Sequence, residues 1–384
     1  MVAEYYPRAA DPVLGIWAHR QALAARRAGA EVRVLVLHRP VPSRAALAER
    51  DPRRLVAPLR QPLHAELDGL RVTYVPFLAP PRPRSYGSWG AYAAPSLALA
   101  LRRLKRSFDY DLVHAHYAAP GADAVRRAQP GAPYVVSVHG GDLLGVACRS
   151  PAGARAVRHG LEGARITLAN STDMASAARD HGARDARVVH PGAAVPEALS
   201  PHRAERLVTV GHLVPRKRHA DVLRAIWLLR DSHPGLRWVV VGDGPERPAL
   251  ERLTQELGLT GRVEFRGALP HDEAVRIAQS GAAFVLPSVD EAFGVAYIEA
   301  MAGGVPAIGC VHEPGPEEIS RLGGGMLLVP PGDPERLASR IEEVVGDERE
   351  RRRTGERARA TVLGHFTWER CGATTVRLYE EALH

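Results

Sequence analysis

Glu291 and Glu299 stand eight positions apart in SVDEAFGVAYIEAMAGGVPAIGC, residues 288–310. Two carboxylates in one segment suggest acid–base work such as glycoside cleavage. Geometry argues against it: eight helical steps span roughly 12 Å, whereas glycosidase carboxylates stand about 5–5.5 Å or about 6.5–9.5 Å apart. Residues 295–302 read as helix, and Gly294 permits a turn before it. Glu291 then lies in a loop and Glu299 about a turn inside the helix, with separate tasks. The helix start near Phe293–Ala296 offers unpaired N–H groups and a partial positive charge, an anion site that most often takes phosphate.

Other candidates gather where strands are expected to end: Gly15 after EYYPRAADPVL, SVHGGDL (137–143), VGHLVPRKR (210–218) and FRGALPHDE (265–273). Three further patterns carry less. His114 and His116 lie two apart on one strand face and are spaced to pair on zinc, but no third ligand follows at metal spacing, so core or rim histidines are the better reading. Asp109-Tyr110-Asp111 matches a D-x-D metal motif yet precedes a strand instead of ending one. Gly242-Asp243-Gly244-Pro245 hints at a nicotinamide dinucleotide site, which also needs G-x-G-x-x-G after the first strand of its domain; that loop reads GHLVPRK.

Positioning these residues requires alternating elements, and the chain supplies them. β-rich runs at 31–38, 71–78, 111–117, 133–140, 165–170 and 186–192 alternate with helical stretches such as Leu97–Arg106 and Asp173–His181. The pattern pauses at 191–206, with three prolines and no clear period, read as an interdomain linker. It restarts with runs at 206–213, 237–244, 262–267, 282–288, 306–310 and 325–331, and helices at 219–232, 246–258, 271–280, 295–303 and 333–345. The expectation is α/β: two doubly wound parallel-sheet domains, 1–195 and 205–365, with a ligand cleft at the strands' carboxyl ends. The last helix, 367–383, is expected to cross back onto the first domain. Only Met1–Glu4 remain for a first strand, so either that strand is unusually short or the chain start is clipped.

Length and composition agree: 384 residues exceed one ordinary core, 45% are hydrophobic and 24% charged. No apolar run reaches the ~20 residues of a membrane span. Cys148, Cys310 and Cys371 are too few and too scattered for a disulfide framework, which fits a reducing cytoplasm. The net charge of +8 favours anionic partners.

Together these stretches resemble glycosyltransferase family 4, retaining enzymes of the two-Rossmann-domain GT-B architecture, over nearly the whole chain. The strongest match is EAFGVAYIEAMAGGVP (291–306), similar to the family's E-x7-E motif; HAHY, SVHGGD and VGHLVPRK occur in the expected order. The resemblance implies a hexosyltransferase that moves sugar from a nucleoside-diphosphate sugar to an acceptor hydroxyl, in cell-surface polysaccharide, glycolipid or glycoside synthesis. Lys217 would bind the donor diphosphate, with Arg216 adjacent. Glu299 would hold the ribose and Glu291 would lie near the transferred sugar. Phe293, Gly294 and Val295 would offer backbone amides, and the backbone near Gly267–Leu269 would meet the base. His139 would face the sugar. Gly15 either admits the backbone to the diphosphate or acceptor or is a plain turn glycine; Asp142 either caps its segment or orients the acceptor. His212 stands where the family most often has a diphosphate-binding arginine, so either Arg216 supplies that charge or His212 is protonated when donor binds. The reading needs no metal or other cofactor and no nucleic acid. The acceptor is unread; a lipid-linked one, with peripheral contact at the inner membrane face through the basic helix at 99–106, competes with a merely solvated helix face. Two alternatives stay open: a sugar-phosphate synthase or phosphorylase of the same fold, and a non-catalytic nucleotide-sugar binding protein.

Overall fold

The structure, a computed structural model, describes residues 1–42, 52–82, 85–199 and 201–384. It divides into two compact units, Met1–Pro191 with Trp368–His384, and Gly192–Thr367.

Among the described residues, the first unit holds an eight-stranded sheet in the order β3-β4-β2-β1-β5-β6-β7-β8. The strands are β1 Val2–Ala3, β2 Arg33–His38, β3 His64–Leu67, β4 Leu70–Pro76, β5 Val113–His116, β6 Tyr134–Val138, β7 Thr167–Ala169 and β8 Ala186–Val188. The first strand is indeed very short, yet central: Val2 pairs with Leu35 on one side and Ala115 on the other. All pairings are parallel except that of β3 with β4. That hairpin was not expected. Its turn, Asp68-Gly69, has positive φ at both residues (48° and 75°), the type I′ geometry that matches strand twist. Ala3, Val34, Val36, Val72 and Tyr74 form a core with Ala22 and Leu23 of helix Ile16–Arg27. The C-terminal helix Trp368–Leu383 belongs to this unit. A Cβ on its Gly372 would fall 2.3 Å from the Ala24 carbonyl oxygen, so the missing side chain lets the two helices touch.

The second unit, among the described residues, has six parallel strands, β9 Arg203–Val210, β10 Arg237–Val241, β11 Val263–Gly267, β12 Gly281–Val285, β13 Ala307–Cys310 and β14 Met326–Val329. Their order is β11-β10-β9-β12-β13-β14, so the side on which successive strands are added switches between β9 and β12. Such a switch point opens a crevice at the strands' carboxyl ends. β12 is buried throughout, as a strand covered on both faces must be. Trp238, Ile226 and Ile341 pack on one face; Phe284, Tyr297, Met301 and Phe366 pack on the other.

The stretch read as a linker starts at the boundary between the two units and, among its described residues, has no helix or strand before Arg203. Ala193 is buried and bridges to Thr367, and Arg203–Val210 is strand; Ser200 lies outside the described residues. No helix among the described residues is long and apolar enough to cross a membrane.

Candidate active site

In the second unit, two loops meet at the switch point. After β9 the chain passes Gly211–Val214 into a single turn, Pro215–Lys217, with proline at a first-turn position where its missing N–H costs nothing. After β12 it runs through Leu286–Phe293 to helix Val295–Ala302. The Val289 amide donates to the Arg216 carbonyl at 2.8 Å, which clasps the loops together.

Their side chains converge on Glu291. Its Oε2 accepts from Lys217 Nζ and, at 2.8 Å, from Ser288 Oγ; an Arg216 terminal nitrogen stands at 3.8 Å. Lys217 and Glu291 are each 8% exposed. The Glu291 amide donates to Glu313 Oε2 (2.7 Å), and its carbonyl accepts from Gly315 (3.0 Å). Ser288 Oγ also lies 3.1 Å from Tyr297 Oη, which donates to the Leu286 carbonyl. Burial alone would raise the Glu291 carboxyl. Lys217, then Arg216 and Ser288, outweigh burial and hold it below its ordinary range. Burial and the nearby carboxylates of Asp290 and Glu291 push Glu313 the other way. Glu291 is therefore an anion whose Oε1 carries none of these bonds and can accept from a ligand hydroxyl.

Gly294 starts the next helix at φ 81°, and a Cβ there would lie 2.4 Å from the Tyr297 ring. No side chain caps this helix start, and Gly294, Val295 and Ala296 are partly exposed, so the dipole and first amides stay available for an anion. Phe293 contributes its ring to the core against Phe366, at 5.6 Å between centroids. Glu299 lies further along, its Oε1 3.3 Å from His271 Nε2. Gly267 ends β11 at φ 70° and accepts from the Gly242 amide, while Leu269 packs on Val239, Val241 and Ala274. His212 is exposed; of His212 and Arg216, it is Arg216 that reaches Glu291, beside Lys217.

The remaining candidates belong to the first unit. His139 follows β6. Its Nε2 lies 3.0 Å from His116 Nδ1, with the rings stacked at 10°. His114 stacks on His116 in turn and bonds Tyr379 Oη and Ser137 Oγ. The His114–His116 pair is thus core. Burial drives both well below the ordinary imidazole range and takes His139 down to about 3, so these rings are neutral. Asp142, offered above as an acceptor-side residue, is turned inward: it is fully buried, and its oxygens accept from the amides of Ala118, His139 and Leu143. It caps the loop after β6. Gly15 (φ 64°) sits where a Cβ would fall 2.2 Å from the Tyr5 carbonyl, so its close approach is to its own chain. Asp109 and Asp111 precede β5, at its amino end.

Sequence reasoning missed Glu313 and Ser288, and the contact between His116 and His139. A proline at the first turn of helix Pro314–Leu322 was the available signal for Glu313 as its cap residue. Nothing in the sequence pairs His116 with His139 short of the β5–β6 register.

Residues 195–361 match the family described as glycosyl transferases group 1, and residues 15–192 match a glycosyl transferase 4-like domain. An exopolysaccharide phosphotransferase of Streptomyces coelicolor is 39% identical over 171 residues, 43% of this chain and 18% of that protein. The lipopolysaccharide core biosynthesis glycosyltransferase LpsE of Rhizobium meliloti is 34% identical over 44% of this chain and 48% of its own. The matches thus span less than half the length of these curated relatives. Among solved structures, HepE of Anabaena in complex with UDP and glucose superposes with a TM-score of 0.73 at 18% identity, covering 99% of this chain and 100% of that one. With two Rossmann-like units and these matched domains, the chain belongs to the GT-B glycosyltransferases of the group 1, family 4-like type.

Proposed function

We propose that the chain is a retaining glycosyltransferase that takes its sugar from a nucleoside-diphosphate sugar held by the second unit, passes it to an acceptor hydroxyl bound by the first and releases the nucleoside diphosphate. The observation that carries this is the Lys217–Glu291 pair beside Arg216, at the switch point and next to an uncapped helix start. Lys217 has three donors and keeps two for phosphate oxygens while it bonds Glu291. With Arg216 and the amides of Gly294–Ala296 it offsets the charge that builds on the leaving diphosphate. Glu291 Oε1 accepts from a sugar hydroxyl, and Glu299 accepts from the ribose. The acceptor hydroxyl attacks on the face the diphosphate leaves, and a donor phosphate oxygen takes its proton. No metal has a part in this scheme, so turnover should survive a chelator.

A thermal-shift screen of nucleoside diphosphates tests the core of the proposal, with UDP first because HepE was solved with it. A ligand at 100 times its Kd stabilises by about 2.7 kcal/mol. The expected result is a shift with one of them that Lys217→Ala abolishes. No shift with any, or an equal shift in the variant, overturns it. The relatives' names point to surface polysaccharide or lipopolysaccharide assembly as the setting.

A further inference from the structure

The first unit has a second charged place, at the carboxyl ends of β1, β2 and β4. Glu4, Arg39 and Phe77, the residues just past those strands, line a cavity of about 470 Å³ together with Arg8, Arg82 and Trp89. Its charges do not balance. Glu4 is buried and fully engaged, with Oε1 paired to Arg82 and Oε2 accepting from Tyr86 Oη at 2.5 Å. Among the described residues, the Arg8 guanidinium donates only to the backbone carbonyls of Glu4 (2.9 Å) and Leu37 (3.3 Å), and its buried Nε has no partner. Asp11 acts on Arg8 from outside the lining, without an ion pair. Arg39 donates its Nε to the Ala79 carbonyl (2.8 Å) and, among the described residues, keeps both terminal nitrogens, while its guanidinium lies over the Trp89 ring at 5.4 Å. The Arg82 guanidinium lies over the same ring at 4.8 Å, and its Nε is also buried without a partner. Three guanidinium groups therefore face one carboxylate. Among the described residues, neither Arg8 nor Arg39 has a carboxylate at ion-pair distance.

We propose that this cavity binds a phosphomonoester, and that on the transferase reading, which this step rests on, the phosphate belongs to the acceptor. The match is one of charge and shape. A phosphomonoester carries about −1.5 to −2 charges at pH 7, against an excess of two cations. Guanidinium forks hold phosphate oxygens in pairs, and Trp89 fixes two of the forks in place. Sugar phosphates and lipid phosphate headgroups share this chemistry.

Calorimetry on the full chain, with no donor present, tests the site using inorganic phosphate, glucose 6-phosphate, and phosphatidylcholine vesicles with and without phosphatidic acid. At least one phosphomonoester should bind. Arg39→Gln should weaken it about 10-fold or more, and Arg39→Lys should weaken it less. UDP affinity should stay unchanged in both, and circular dichroism should show both folded. Binding of glucose 6-phosphate alone marks a soluble acceptor; binding of phosphatidic acid vesicles alone marks a lipid one. The proposal falls if no phosphomonoester binds, if Arg39→Gln binds as the parent does, or if Arg39→Gln loses UDP equally. UDP binding by the parent and by Lys217→Ala is read separately, so failure of the transferase reading is distinguishable from failure of this site.

Discussion

The strand order of the two sheets switches side at equivalent places, β1 against β5 and β9 against β12, and the two places are filled in opposite ways. Beside the first switch stand stacked and neutral rings: His114 and His116, both buried, and His139, partly exposed. At the second stands a buried ion pair, kept charged because Lys217, Arg216 and Ser288 surround one carboxylate oxygen. One topology thus provides a place without dictating its chemistry. Burial discharges a group that has no opposite charge beside it and tolerates a pair that has.

Removing one member of the pair should show this most strongly. Glu291→Ala leaves Lys217 buried without its carboxylate and should cost about 3–5 kcal/mol of stability, read by urea unfolding. The double variant Glu291→Leu, Lys217→Met should recover most of that loss; equal instability in both would mean that charge is not what matters here. Next in size is Lys217→Ala, expected to lower kcat about 10²–10³-fold while the fold persists. Near-normal turnover in a donor-hydrolysis or transfer assay would remove Lys217 from the chemistry.

Acid should separate the two regions. His139 has a folded pKa of about 3 against 6.5 unfolded, so the unfolded chain takes up the proton first. Stability of the first unit should fall as pH drops below 6.5, by up to about 2 kcal/mol for His139 alone at pH 5. The sign for Glu291 is that of a depressed carboxyl: its contribution is intact above its unfolded pKa of 4.5 and is lost only below it. Hydrogen exchange between pH 7 and 5 should therefore loosen β5 and β6 before β9 and β12, and the reverse order would break the comparison. The smallest effect belongs to Glu299→Gln. It should weaken nucleoside-diphosphate binding about 10-fold and leave the unfolding midpoint nearly unmoved, since Glu299 rests against His271 near the surface.

Much of this was legible because it is local. Strand–helix alternation follows from period, and Lys217, Glu291 and Gly294 announce themselves where a strand run gives way to a helix. What resisted reading is set by contacts between distant residues. The Glu313–Glu291 bond joins residues 22 apart, and the helix that Glu313 introduces hides behind Pro314 and Pro316. The hairpin at Asp68-Gly69 carried its own signal, an Asp-Gly pair between two alternating runs, and was passed over. Phe293 looked like part of a ligand loop, yet its neighbours across the fold made its ring core. The Glu4–Arg82 pair links residues 78 apart and has no sequence signature.

The contact between His116 and His139 also sets a polarity. His116 Nε2 is buried and has no partner. A proton there would be a stranded donor, whereas a bare ring nitrogen forfeits less. His116 then carries its hydrogen on Nδ1 and donates it to His139 Nε2, which occupies the one lone pair His139 has. Nδ1, the other nitrogen of His139, is left as an N–H. Toward whatever reaches the end of β6, His139 can give a hydrogen bond but cannot remove a proton, and any step that needs a base must find it elsewhere.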